Sequence, residues 1–128
     1  MVFSDAEYDH VILLAHGSTD PLWKTPFEMI FERIVSESSR DKCSLAYMEL
    51  SEPSLAHVIN ELDESVRTVA VLPLFFSVGR HLRHDVPAMI NAMNKNHLKI
   101  ELLPPIGDDE RIRASMVSIV KNHLGEPE

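Results

Sequence analysis

The chain has 128 residues, 45% hydrophobic and 25% charged, a balance that suits one domain over residues 1–128 built on a single core. A formal net charge of −8 excludes a broad nucleic-acid face, which needs a basic stripe to displace counterions. The longest apolar runs fall well short of the roughly 20 residues that cross a bilayer, which excludes a membrane-spanning protein.

Cys43 is the one cysteine, so neither an intramolecular disulfide nor a cysteine zinc cage is available, and it reads as a small apolar residue at the start of a buried strand. The first residues carry no basic segment followed by an apolar one, and the expectation is a cytoplasmic protein.

The first β-like run is Val11 to Ala15, continuous rather than alternating, as for a strand covered on both faces. Trp23, Phe27, Ile30, Phe31 and Ile34 follow at helical spacing, with Asp20-Pro21 or Thr25-Pro26 as the start. The second run, Cys43 to Met48, leads through Ser51-Glu52-Pro53 to a helix whose apolar positions are Leu55, Val58, Ile59 and Leu62. The third, Thr68 to Phe76, is broken by Gly79. Asp85 with Pro87 then opens a helix expected to bury Val86, Met89, Ile90 and Met93. The fourth, Leu98 to Leu103, stops at Pro104-Pro105. Asp108 or Asp109 caps a last helix expected to bury Ile112, Met116, Ile119 and Val120, and Gly125 suits its end. Strands alternating with helices imply parallel pairing and right-handed crossovers. The expected fold is a three-layer α/β sandwich with a four-stranded parallel sheet, wound as in flavodoxins.

In such sheets ligands bind beyond the carboxyl ends of the strands. That rule selects His16 after the first strand, Glu49 after the second, and His81 in the loop leaving the third. His16 sits in Ala15-His16-Gly17-Ser18. It is either a ligand for divalent cobalt, iron or nickel, with Gly17 allowing a bulky molecule near the backbone, or a histidine bonded to its own turn. Glu49 is costly to desolvate without a cation or donor; it serves as proton acceptor or metal ligand, or forms an ordinary ion pair. Gly79-Arg80-His81-Leu82-Arg83-His84-Asp85 concentrates cations in an acidic chain. Arg80 and Arg83 suit the carboxylates of an anionic ligand, and Asp85 suits either orienting an imidazole or capping a helix. Phe75, Phe76 and Val78 extend the apolar strand toward the same edge, as pocket wall for a flat ring or as core. His10, His57, His97 and His123 read as surface or capping residues.

These segments resemble the small sirohydrochlorin cobaltochelatases of the cobalamin pathway, which are ATP-independent tetrapyrrole chelatases. The resemblance rests on Leu13-Leu14-Ala15-His16-Gly17-Ser18 with Asp20-Pro21, on Met48-Glu49-Leu50-Ser51-Glu52-Pro53-Ser54-Leu55, and on Pro73-Leu74-Phe75-Phe76 continuing through Gly79, His81 and Asp85-Val86-Pro87. It covers about two thirds of the chain in the family's order. It implies a chelatase-like fold, metal ligation at His16 and His81, and a catalytic carboxylate at Glu49. It also implies a substrate pocket that includes Gly17, Ser18, Phe75, Phe76, Ser77, Gly79, Arg80 and Arg83. The metal is then a substrate, cobalt with iron or nickel as alternatives, and no ATP is used. Longer relatives hold two such halves around one cleft, so a homodimer is implied. Two departures stand out: Thr19 where relatives often have arginine, and Arg80 where they have glycine. A metal or tetrapyrrole carrier would use the same pocket. A phosphohistidine-type phosphatase is disfavoured because Ala15, not arginine, precedes His16, and a pure interaction module leaves the polar residues at three strand ends unexplained.

Overall fold

Residues 7–38, 40–93 and 97–127 are described by the computed structural model, with the side chains of Arg40, His81 and Leu82 outside that description. The apolar runs form four strands, β1 (His10–Ala15), β2 (Cys43–Tyr47), β3 (Thr68–Pro73) and β4 (Lys99–Leu102). They pair in parallel in the order β2-β1-β3-β4. Between and after them run α1 (Pro21–Glu37), α2 (Leu55–Asn60), α3 (Arg80–Met93) and α4 (Glu110–His123), with 3-10 turns at Arg40–Lys42 and Ile106–Asp108. This is the expected α/β sandwich with a parallel four-stranded sheet. Among the described residues no helix is long and apolar enough to cross a membrane.

Side-chain alternation sorts the sheet into two faces. Ile12, Leu14, Ala46, Val69, Val71 and Ile100 meet α2 through Leu55, Val58 and Ile59 and α3 through Val86 and Ile90. The opposite face carries α1, whose Trp23 ring lies 4.6 Å from Phe27 and 6.3 Å from buried Tyr47. Each fully buried side chain such as Leu14 stabilises the fold by about 1.5–3 kcal/mol. Cys43 is buried and free, as expected, and burial pushes its thiol above the ordinary range, which leaves it unreactive.

Capping chemistry explains the helix starts. Asp20 accepts a hydrogen bond from the Leu22 N–H with Pro21 opening α1, so the first of the two proposed starts is used and Pro26 lies inside the helix. Ser54, directly after the Ser51-Glu52-Pro53 segment, caps α2 by accepting from the His57 N–H. Asp109 caps α4, and Gly125 follows it with φ +72°.

Four expectations need correction. α3 begins at Arg80, so His81 and Arg83 stand in its first turn rather than in a loop, and Pro87 lies inside the helix. The Pro87 ring removes one main-chain bond, but Val86 and Ile90 on either side are buried and hold the turn in place. β3 ends at Pro73, which leaves Phe75 and Phe76 in the loop beyond it. His10 is not a surface residue: it is buried, and its Nε2 lies 2.8 Å from Ser44 Oγ. Burial pushes its imidazole below the ordinary value, opposed by a hydrogen bond to the Asp41 backbone. Finally, α4 has no buried residue, although Ile112, Met116, Ile119 and Val120 were expected in the core.

Candidate active site at the carboxyl edge of the sheet

β1 and β2 lie side by side with Ala15 opposite Tyr47, so the residues that leave both strands emerge together. The Met48 N–H donates to the carbonyls of Ala15 and His16, and the Glu49 N–H also donates to His16. Gly17 makes this possible. Its φ is +114°, and a Cβ added there would lie 1.6 Å from the Glu49 carbonyl oxygen. The small residue after His16 therefore serves the close approach of the Glu49 backbone. One residue on, the Ser18 N–H donates to Ser51 Oγ, which in turn donates to the Ser18 carbonyl at 2.7 Å. This two-bond latch holds the β1 and β2 loops in register.

The consequence is a side-chain pair. Nε2 of His16 lies 3.1 Å from Oε1 of Glu49, with both side chains about half exposed. An ionised carboxylate only accepts hydrogen bonds, so a neutral imidazole at this distance donates from Nε2 and keeps its lone pair on Nδ1. Such an exposed pair contributes little to stability, about 0–1 kcal/mol. It is a polar pair open to solvent, not a structural bridge.

Apolar surface flanks the pair on one side. The Phe75 ring centroid is 6.2 Å from that of His16. Beyond it a cavity of about 530 Å³ is lined by Phe75, Ser77, Val78, Arg83 and the wall Leu103-Pro104-Pro105, a volume within the range of small-molecule pockets. On the other side a groove of about 510 Å³ holds Ser18, Thr19, Lys24, Glu49, Ser51 and Glu52. Lys24 Nζ stands 5.2 Å from the Tyr47 ring centroid, so a stacked cation occupies the groove that Glu49 enters.

Among the residues selected from sequence, the structure thus brings together His16, Glu49 and Phe75, places Ser77 and Arg83 in the adjoining cavity and puts Ser18 in the groove. Phe76 does not join them: it is 64% exposed and lines neither space. Gly79 and Arg80 are exposed at the start of α3. The His81 backbone is in the same first turn, and its side chain lies outside the described residues. Among those residues no group of three or more His, Cys, Asp or Glu side chains could hold a metal ion.

Sequence reasoning missed Ser51 and the wall at Leu103-Pro104-Pro105-Asp108. The wall was foreseeable, because the rule that selected three strand ends applies equally to β4. The Gly107 N–H donates to the Phe75 carbonyl, and a Cβ on Gly107 would lie 1.9 Å from the Phe76 carbonyl oxygen. The 3-10 turn before α4 is thereby fastened to the Phe75 loop as firmly as the Gly17 turn is to Glu49.

The family profile described as CbiX matches residues 10–123. The chain belongs to the CbiX family. Among similar proteins, the sirohydrochlorin cobaltochelatase of Methanopyrus kandleri is 26% identical over 91% of this chain and 97% of its own length. That of Saccharolobus solfataricus is 28% identical over 86% and 91%. A crystal structure of a Marinobacter aquaeolei VT8 CbiX protein, named for cobalamin (vitamin B12) biosynthesis, superposes with a TM-score of 0.79. It is 42% identical and covers 91% of this chain and 97% of that one. SirB from Bacillus subtilis, solved with Fe3+, shares the fold at a TM-score of 0.75 and 22% identity; the match covers 94% of this CbiX chain and 49% of SirB.

Proposed function

We propose that this CbiX protein is a chelatase that inserts a divalent metal, cobalt in the first instance, into sirohydrochlorin without ATP. The observation that carries the reading is the His16–Glu49 pair at 3.1 Å, open to solvent and bordered by an apolar cavity, in a chain matched along nearly its whole length by cobaltochelatases. Iron and nickel are the alternative metals, since imidazole and carboxylate donors suit all three.

Insertion requires a hydrated cation to lose water and a macrocycle to lose two pyrrole protons. In this reading the Nδ1 lone pair of His16 replaces one water on the incoming metal, and His81, rooted in the first turn of α3, supplies the second imidazole. Glu49 holds the His16 ring through Nε2–H and accepts pyrrole protons on its free oxygen as general base. The flat macrocycle rests on Phe75, and Ser77 and Gly79 border its edge. Arg83, Arg80 and Lys24 meet its carboxylates, offsetting the overall charge of −8. Gly17 and Ser18 position the two catalytic loops, and Ser18 also lines the groove beside Glu49 and Lys24. Residues 1–128 act as one domain, the working form is a homodimer, and the reaction takes place in the cytoplasm, where a lone thiol such as Cys43 stays reduced.

The test is optical. Sirohydrochlorin with Co2+ should change its absorption spectrum faster with the protein than with buffer alone. His16→Ala and Glu49→Gln should each slow that change by about 100-fold, the scale of a lost proton acceptor or positioned donor, with far-UV circular dichroism unchanged. Wild-type rates in both variants would remove the pair from the mechanism.

A further inference from the structure

α4 repeats apolar side chains at Ile112, Met116, Ile119 and Val120, the spacing of a helix made to be covered, yet no residue of α4 is buried. Ile119 and Val120 are 58% and 57% exposed. Among the described residues its substantial packing is limited to the 3-10 turn at its own root. A helix of 14 residues has marginal stability in water without tertiary packing, so α4 needs a surface.

The same chain offers one. One flank of α1, through Phe31 and Glu28, faces β2 residues Leu45 and Tyr47. The other flank, away from β2, forms an open groove of about 430 Å³ lined by Ile30, Arg33, Ile34 and Glu37. Beside it the sheet is uncovered: Leu72, on the α1 face of β3, is only half-buried, and Lys99 and Glu101 on that face of β4 are exposed. A three-layer sandwich would place a second helix there. Glu28 and Glu32 lie on the β2 flank, and the charges on the receiving flank, Arg33 and Glu37, pair with each other, so the fit offered to α4 is apolar rather than ionic.

We propose that α4 is an exchanged arm, which leaves its own domain and packs along the Ile30–Ile34 flank of α1 in a second copy of this chain. The proposal rests on the homodimer of the preceding section and specifies the surface that makes it. Half the side of such a helix, about 21 Å long and about 10 Å across, is about 330 Å². Two arms and two receiving faces then bury about 1,300 Å², within the ~1,200–2,000 Å² of stable pairs. Because the root of α4 is fastened to the Phe75 loop through Gly107, pairing also fixes one wall of the candidate active site.

Sedimentation velocity at micromolar concentration tests this directly. Wild type should sediment at twice 14.5 kDa, and Val120→Glu on the arm and Ile30→Glu on the receiving flank should each weaken pairing at least about tenfold, since a charge replaces a buried apolar contact. Should either variant fold poorly, chains carrying Val120→Cys and Ile30→Cys, each with Cys43→Ala, are mixed with a short bismaleimide; coupling of unlike chains is expected. A wild-type monomer overturns both the exchange and the dimer. A pair insensitive to both variants, or an absence of coupling between the unlike single-cysteine chains, overturns the exchange and leaves the dimer standing. Metal insertion is read separately, so a pair broken as expected in a protein without turnover refutes the enzyme reading alone.

Discussion

At Gly17 two independent constraints meet. Its φ of +114° is a conformation that side chains rarely adopt, and an added methyl group would lie 1.6 Å from the Glu49 carbonyl oxygen. Backbone has to move before any larger residue fits, and the piece that moves is the one carrying Glu49. Gly17→Ala is expected to lower unfolding free energy by more than about 3 kcal/mol, summing backbone strain and overpacking, and to depress metal insertion even where the protein remains folded. Urea denaturation and the optical assay measure the two effects; a variant as stable and active as wild type would contradict the account of this turn. His16 and Glu49 were legible in the sequence because each directly follows an apolar run, and strand ends are where a parallel sheet collects its chemistry. Their direct contact was not legible, since it depends on the Ser18–Ser51 latch and on how closely Gly17 lets two loops approach. His10 was misread for a related reason: a histidine at a strand start looks exposed until a neighbouring strand supplies Ser44 as its partner.

Element boundaries followed capping chemistry where the cap is local. Asp20-Pro21 was one of two candidate starts for α1 and is the one used, and one of two adjacent aspartates announced α4. α3 was harder, because Asp85 and Pro87 imitate a helix start while the helix begins five residues earlier, at Arg80. The cap of α4 leads to a prediction of its own. Asp109 accepts hydrogen bonds from the Arg111 N–H and from its guanidinium. The guanidinium is the main reason the carboxyl is lowered to about 2. A carboxyl held low in the folded state stabilises the fold above its unfolded value, about 3.9, and that contribution is lost as pH falls through about 2. Asp109→Ala should therefore lower the thermal midpoint by a few degrees at pH 7, with a constant gap to wild type down to about pH 4 and a narrowing gap below it. Circular dichroism melts across that range provide the check, and a gap that widens toward acid would reverse the sign of the argument. The apolar stripe of α4 was also legible, but a periodicity says only that a helix wants a cover. It does not say whether the cover belongs to the same chain.

For the molecule as a whole, parallel pairing in the order β2-β1-β3-β4 puts four strand ends on one edge, and each contributes to the same region: His16, Glu49, Phe75 and the Leu103-Pro104-Pro105 wall. Glycines at 17 and 107 let these loops approach closely in pairs, and the edge carries an apolar cavity on one side of the His16–Glu49 pair and a polar groove on the other. A flat, multiply carboxylated ring fits that division better than a small phosphate ester, which would need concentrated cations at His16 itself. Binding alone does not make the edge an enzyme, because a carrier with the same contacts would load one metal or ring per chain and stop. The decisive measurement is product formed per chain with sirohydrochlorin and Co2+ in large excess over protein, followed by absorbance. The account predicts many metallated tetrapyrroles per chain at a rate well above the buffer blank; a signal that halts at one equivalent, or never exceeds the blank with cobalt, ferrous iron or nickel, would contradict it.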